Sequence, residues 1–106
     1  MKTLLLAFTL ALVSFGAQAM ETREITIKDH KFDPAIVSVP ADTRVKLVVH
    51  NQDSTPAEFE SDDFKREKIL PGNSTANIFV SPLAKGEYKF FDEFNKETTQ
   101  GILKVE

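Results

Sequence analysis

From residue 20 onward, apolar and polar side chains alternate with a period of two along most of the chain, the pattern of strands with one buried face. Between Arg23 and Lys28, Ile25 and Ile27 share one side and mainly charged residues take the other. The stretch Asp29 to Pro34 interrupts the pattern, Ile36 to Val39 is a short β-branched run, and Pro40, Ala41 and Asp42 form a turn. Alternation resumes from Arg44 to Asn51, with Val45, Leu47 and Val49 inward and Arg44, Lys46, Val48 and His50 outward. Polar turn material from Asn51 to Pro56 leads to a short extended piece, Glu58 to Ser61. One helical turn is predicted over Asp62 to Lys65, with Asp62 as its N-cap. Strands follow at Glu67 to Leu70, Ala76 to Val80, Tyr88 to Asp92 and Ile102 to Val105. Seven or eight short strands with frequent turn signals and no long helix predict an all-β chain, an antiparallel Greek-key β-sandwich in one domain. Gly86-Glu87-Tyr88 after Leu83 resembles a tyrosine corner, in which the phenol bonds the backbone of a crossover loop.

The strand ending at Asp92 draws the chemistry together. Residues two apart share a face, so Tyr88, Phe90 and Asp92 point the same way, and the two aromatics choose the inward way. Asp92 is thereby set at the rim of the core. A carboxylate there requires a partner, whether metal, cation or backbone amides, because an unpaired charge beside apolar packing is costly.

Composition narrows the options. Lys2, an apolar run from Leu4 to Phe15 and the small-residue site ending at Ala19 describe a cleavable secretory signal over residues 1–19, leaving a domain over 20–106. The apolar run is too short for a permanent span, and no cysteine is present to carry a lipid, so a soluble exported protein is expected. Lys2 is the only charged residue removed, making the net charge one unit more negative than −3. That balance argues against nucleic acid or an anionic membrane surface as the main partner. A small exported domain without cysteine must be held by packing, and 9 phenylalanines supply it. Thiolate ligands and cysteine nucleophiles are excluded as well.

Three segments, Phe32 to Asp42, Val45 to Ser61 and Pro82 to Asn95, resemble the cupredoxin family in the right order. Thr55-Pro56-Ala57-Glu58-Phe59-Glu60-Ser61 and Tyr88-Lys89-Phe90-Phe91-Asp92-Glu93-Phe94 are most similar to the small periplasmic cupredoxin-like proteins that accompany bacterial high-affinity iron permeases. The resemblance implies a periplasmic location, a role beside a membrane iron permease and other periplasmic proteins, and an iron or copper ion as cargo. It also implies where a blue-copper site would stand: Ala57 at the first histidine position, Asp92 at the cysteine, Asn95 at the second histidine, and Thr99 or Gln100 near the axial ligand. Every strong ligand is replaced, so no type 1 copper site is expected.

Oxygen donors remain at that end of the chain. Asp92, Glu93 and Glu58, with His30 in the Asp29 to Pro34 segment, make a candidate mixed nitrogen and oxygen site for iron or copper(II). The plainer reading has His30 in solvent or hydrogen-bonded to Asp92 with no metal. His50 lies on the outward side of its strand and reads as a surface imidazole, while Asn51 and Asp53 read as turn formers. No nucleophile and base arrangement or phosphate-binding glycine loop is visible, so enzymatic activity has little support beyond ferrous iron oxidation within a multi-component system. Two functions compete: metal handling in iron uptake, and a metal-free interaction module using Phe91 and Phe94 as an exposed aromatic patch.

Overall fold

Burial alternates along the chain as the sequence pattern requires, and it builds nine strands in the computed structural model, which describes residues 20–106. The secretory signal expected over 1–19 lies outside the described residues. In chain order the strands are β1 (Glu21–Lys28), β2 (Lys31–Asp33), β3 (Ile36–Val39), β4 (Val45–Asn51), β5 (Ala57–Ser61), β6 (Arg66–Leu70), β7 (Ser74–Val80), β8 (Gly86–Asp92) and β9 (Gln100–Val105). A single 3-10 turn, Glu93–Asn95, follows β8. Among the described residues no helix is long and apolar enough to cross a membrane.

The strands form two facing sheets, one ordered β2-β1-β4-β7 and the other β3-β9-β8-β5-β6. The β-sandwich expected from the sequence is present. Its sheets are mixed, however: β1 runs parallel to β4, with Ile25 beside Val49, and β3 runs parallel to β9, with Val37 beside Leu103. The count exceeds seven or eight because Lys31–Asp33 folds back on β1 as a strand. Its two-residue turn is Asp29-His30, both with positive φ (51° and 55°), the backbone that a type I′ hairpin turn demands. Aspartate and histidine tolerate that region better than most residues. Asp53 fixes the turn from outside by accepting the Asp29 and His30 amides at 2.8 and 3.0 Å. Those two hydrogen bonds hold the Asp53 carboxyl below its ordinary range, with partial burial acting the other way.

Asp62 to Lys65 is not helical. It is a turn between β5 and β6, with Ser61 Oγ accepting the Phe64 amide at 3.2 Å and Lys65 in a left-handed conformation. A second junction ties the loops before β5 and β7. Asn51 Nδ2 donates to the Thr55 and Pro71 carbonyls at 2.9 and 3.1 Å, and a Cβ on Gly72 would lie only 2.0 Å from the Ser54 carbonyl oxygen. Only glycine allows that approach.

Phenylalanines fill the space between the sheets. Phe59 and Phe90 stack with centroids 5.2 Å apart, and Phe32 meets Phe90 edge-on at 4.9 Å. Such pairs contribute about 0.5–1.5 kcal/mol each beyond the area they bury, which offsets part of what a disulfide would give. The tyrosine corner is present, with Tyr88 Oη donating to the Ala84 carbonyl at 2.8 Å. Tyr88→Phe removes one hydrogen bond in a partly exposed setting, so urea unfolding should register a loss of about 0.5–1.5 kcal/mol and no change of fold.

Candidate functional site

Strand β8 delivers Asp92 inward, as its parity with Phe90 predicts, and the residue is only 1% exposed. Its partners are hydrogen-bond donors. Oδ1 accepts the Glu58 amide at 2.9 Å and the Phe94 amide at 3.0 Å, while Oδ2 accepts Asn95 Nδ2 at 3.1 Å. One carboxylate thus joins β5, the end of β8 and the 3-10 turn that it caps. The loop closes further through backbone bonds from the Asp92 amide to the Thr99 carbonyl (3.0 Å) and from the Thr99 amide to the Asn95 carbonyl (2.9 Å). Buried Thr99 donates its hydroxyl to the His30 carbonyl and links the loop to the β1-β2 turn.

His30 therefore meets this loop through its backbone, while its ring lies elsewhere, with Nδ1 3.7 Å from Asp53 Oδ2. Glu58 contributes its amide to Asp92, but its side chain projects from the outward face of β5. Glu93 is exposed at the start of the 3-10 turn. Among the described residues no three histidine, cysteine, aspartate or glutamate side chains converge closely enough to hold a metal ion. His50 is on the outward face of β4, between Thr75 Oγ1 (2.9 Å from Nδ1) and Glu24 Oε1 (3.1 Å from Nε2).

The outward carboxylates interact with each other instead. Glu60 stands opposite Glu67 across β5 and β6, and Glu58 is one step along the same face. A hydrogen bond to the Glu67 side chain, followed by loss of hydration and the negative charges of Glu67, Glu60 and Glu93, pushes the Glu58 carboxyl from 4.5 up to about 7. Glu60 is also raised, first by lost hydration and then by Glu93, Glu67 and Asp62, with Lys96 opposing. Sequence reading missed Glu67. The available signal was the short turn between β5 and β6, whose hairpin register sets Glu60 against Glu67.

A folded-state pKa above the unfolded one means that the native chain binds the extra proton, so this contribution is complete below about 4.5 and is lost as pH rises through about 7. Glu67→Gln should flatten that slope and raise the urea midpoint on its alkaline side, as read in a series from about pH 5 to about pH 8.

Phe91 and Phe94 differ. Phe91 has outward parity yet is 8% exposed, with Lys96 Nζ 4.6 Å from its ring centroid, whereas Phe94 is 52% exposed.

Residues 2–105 match the model of the cupredoxin-like domain family, and the chain belongs to that family. A relative at 49% identity over 82 residues is an uncharacterized protein of Rickettsia prowazekii (strain Madrid E); the match takes in 77% of this chain and 66% of the relative, so the chain spans just under two thirds of that protein's length. Among solved structures, auracyanin A, a blue copper protein from Chloroflexus aurantiacus, superimposes with a TM-score of 0.71 at 16% identity, covering 83% of this chain and 100% of its own. A copper-binding protein solved in its apo form by NMR gives a TM-score of 0.72 at 18% identity, with 82% and 88% covered. At such identities the likeness is one of fold.

The fold family implies copper, and the residues do not fit it. Ala57, which the resemblance sets at an imidazole position, is a buried methyl group, and Asn95 offers an amide that already donates to Asp92. Asp92 has Oδ1 engaged by two amides and Oδ2 by a third donor, so an incoming cation would have to displace hydrogen bonds that the loop uses for its own closure. The chain contains no cysteine.

Proposed function

We propose that this chain works in the periplasm as a protein-interaction module on a cupredoxin scaffold, serving a membrane iron permease system by docking and not by coordinating an ion at the family position. The supporting observation is the Asp92 hub. Where relatives keep a sulfur ligand, this chain has a carboxylate whose oxygens accept the Glu58 and Phe94 amides and the Asn95 side chain. Beside it, Phe94 presents a largely exposed ring, a feature of surfaces that meet other proteins. The permease association rests on the sequence resemblance described above, and the exported location on that resemblance together with the secretory signal expected over residues 1–19. The alternative, that His30, Asp92, Glu93 and Glu58 handle iron or copper(II), rests on that resemblance alone, since these groups do not converge.

The test has two arms. Calorimetric titration with Fe(II), Fe(III) and Cu(II) should give affinities no tighter than about millimolar, and Phe94→Ser should depress iron uptake in cells while leaving the thermal melt unchanged. Stoichiometric metal in protein isolated from the exported compartment, or uptake insensitive to Phe94→Ser, overturns the reading.

A further inference from the structure

We propose that the outer face of the five-stranded sheet is a docking surface for a lysine- or arginine-rich segment of a partner protein that also carries apolar side chains. The proposal rests on the interaction-module reading and adds the chemistry of the partner.

Strand register defines the face. One row across it is Ile36, Ile102 and Lys89, from β3, β9 and β8. The next is Gln100, Phe91, Glu60 and Glu67, from β9, β8, β5 and β6. Beyond it Glu58 pairs with Ile69, beside Glu93 and Phe94 of the 3-10 turn. Two large apolar side chains stand exposed on this face, Ile36 at 61% and Ile69 at 59%, and Phe94, at 52%, is exposed on the 3-10 turn that follows β8. No other layer of the described fold covers this side of the sheet.

The charges on β5 and β6 are sorted by parity. Glu58, Glu60 and Glu67 face outward with Ile69, whereas Arg66 and Lys68 have the opposite parity, paired with Ser61 and Phe59. Arg66 is turned to the neighbouring sheet, where its Nε donates to the Phe79 carbonyl at 2.6 Å. The groups facing Glu58 and Glu60 are thus Glu67 on β6, Glu93 on the 3-10 turn, Asp62 on the β5-β6 turn, and Lys96 as the opposing cation. Lys96 also lies over the Phe91 ring, so its charge is shared. A cationic partner would relieve the crowding that otherwise makes Glu58 hold a proton.

The dimensions exclude a single ion as the occupant of the whole face. Four strand spacings separate β3 from β6, about 19 Å in all, and apolar anchors stand at both edges; between them Glu58 and Glu60 with Glu67 make the β5-β6 half acidic, while Lys89 and Lys104 take the same face on β8 and β9, with Lys104 paired to Glu106. An extended or helical segment carrying both cationic and apolar side chains matches that layout; an acidic one would meet like charge.

The test uses the folded domain, isotopically labelled, and two synthetic peptides of equal length, one alternating lysine and leucine and one alternating glutamate and leucine. The basic peptide should shift amides of β5, β6 and the 3-10 turn, weaken with added salt, and bind more tightly as pH rises through about 7, where Glu58 loses its proton. The double variant Glu60→Gln/Glu67→Gln should weaken binding by at least about tenfold, and Glu24→Gln, on the opposite sheet, should leave it unchanged. Shifts of similar size with the acidic peptide, shifts confined to the other sheet, or a response only to a divalent ion such as Mn(II) would each overturn the proposal. Should Phe94→Ser impair iron uptake while the basic peptide fails to bind, the module reading stands and this partner chemistry falls.

Discussion

Asp92→Ala should lower the unfolding free energy by about 3–5 kcal/mol, because hydrogen bonds to a charged group contribute about 1.5–3 kcal/mol each and two backbone amides lose theirs together. Those amides, of Glu58 and Phe94, belong to different segments, and the truncated side chain leaves no acceptor between them. Domains are typically stable by about 5–15 kcal/mol, so the loss is a large fraction of the total. Asp92→Asn separates charge from shape. Its oxygen can still accept both amides, and its new amide meets Asn95 Nδ2 donor to donor unless Asn95 turns over, so a loss of about 1–2 kcal/mol is expected. Urea denaturation of the three proteins measures both. A change of less than about 1 kcal/mol for Asp92→Ala would remove the hub from the account.

Phe90→Ala is the second large effect. The ring stacks on Phe59, meets Phe32 edge-on and lies so close to Gly101 that a Cβ there would stand 2.3 Å from it. Deleting a buried phenylalanine typically costs about 3–5 kcal/mol through lost transfer energy and the cavity left behind, and in a chain with no disulfide to restrain it the melting midpoint should fall by at least about 10 °C. Phe90→Leu refills part of the volume and should retain a cooperative melt. Circular dichroism on heating distinguishes the outcomes: a Phe90→Ala melt within a few degrees of wild type would contradict the central role of this aromatic cluster.

Much of this arrangement could be read from alternation alone. Ile25 and Ile27, Leu47 and Val49, and Phe90 with Asp92 all turn inward where a period of two sends them, and the buried carboxylate followed from that. Alternation tells which face a side chain takes but not which strand lies alongside, so the parallel pairings of β1 with β4 and β3 with β9 were hidden. Strand β2 was hidden for a local reason: Asp29-His30 looks like an interruption until its left-handed backbone is seen to make a hairpin. The partners of Asp92 and the direction of the His30 ring depend on Glu58 and Asp53, both distant in sequence. Phe91 has the parity of an exposed residue and is covered by Lys96, five positions along, whose path depends on the 3-10 turn.

The way the β8-β9 loop is closed bears on how the molecule matures. Its clasp is made entirely of side chains and amides supplied by the polypeptide itself, so closing it asks for no ion. The chain should therefore reach the same fold, loop closed, in a medium stripped of transition metals.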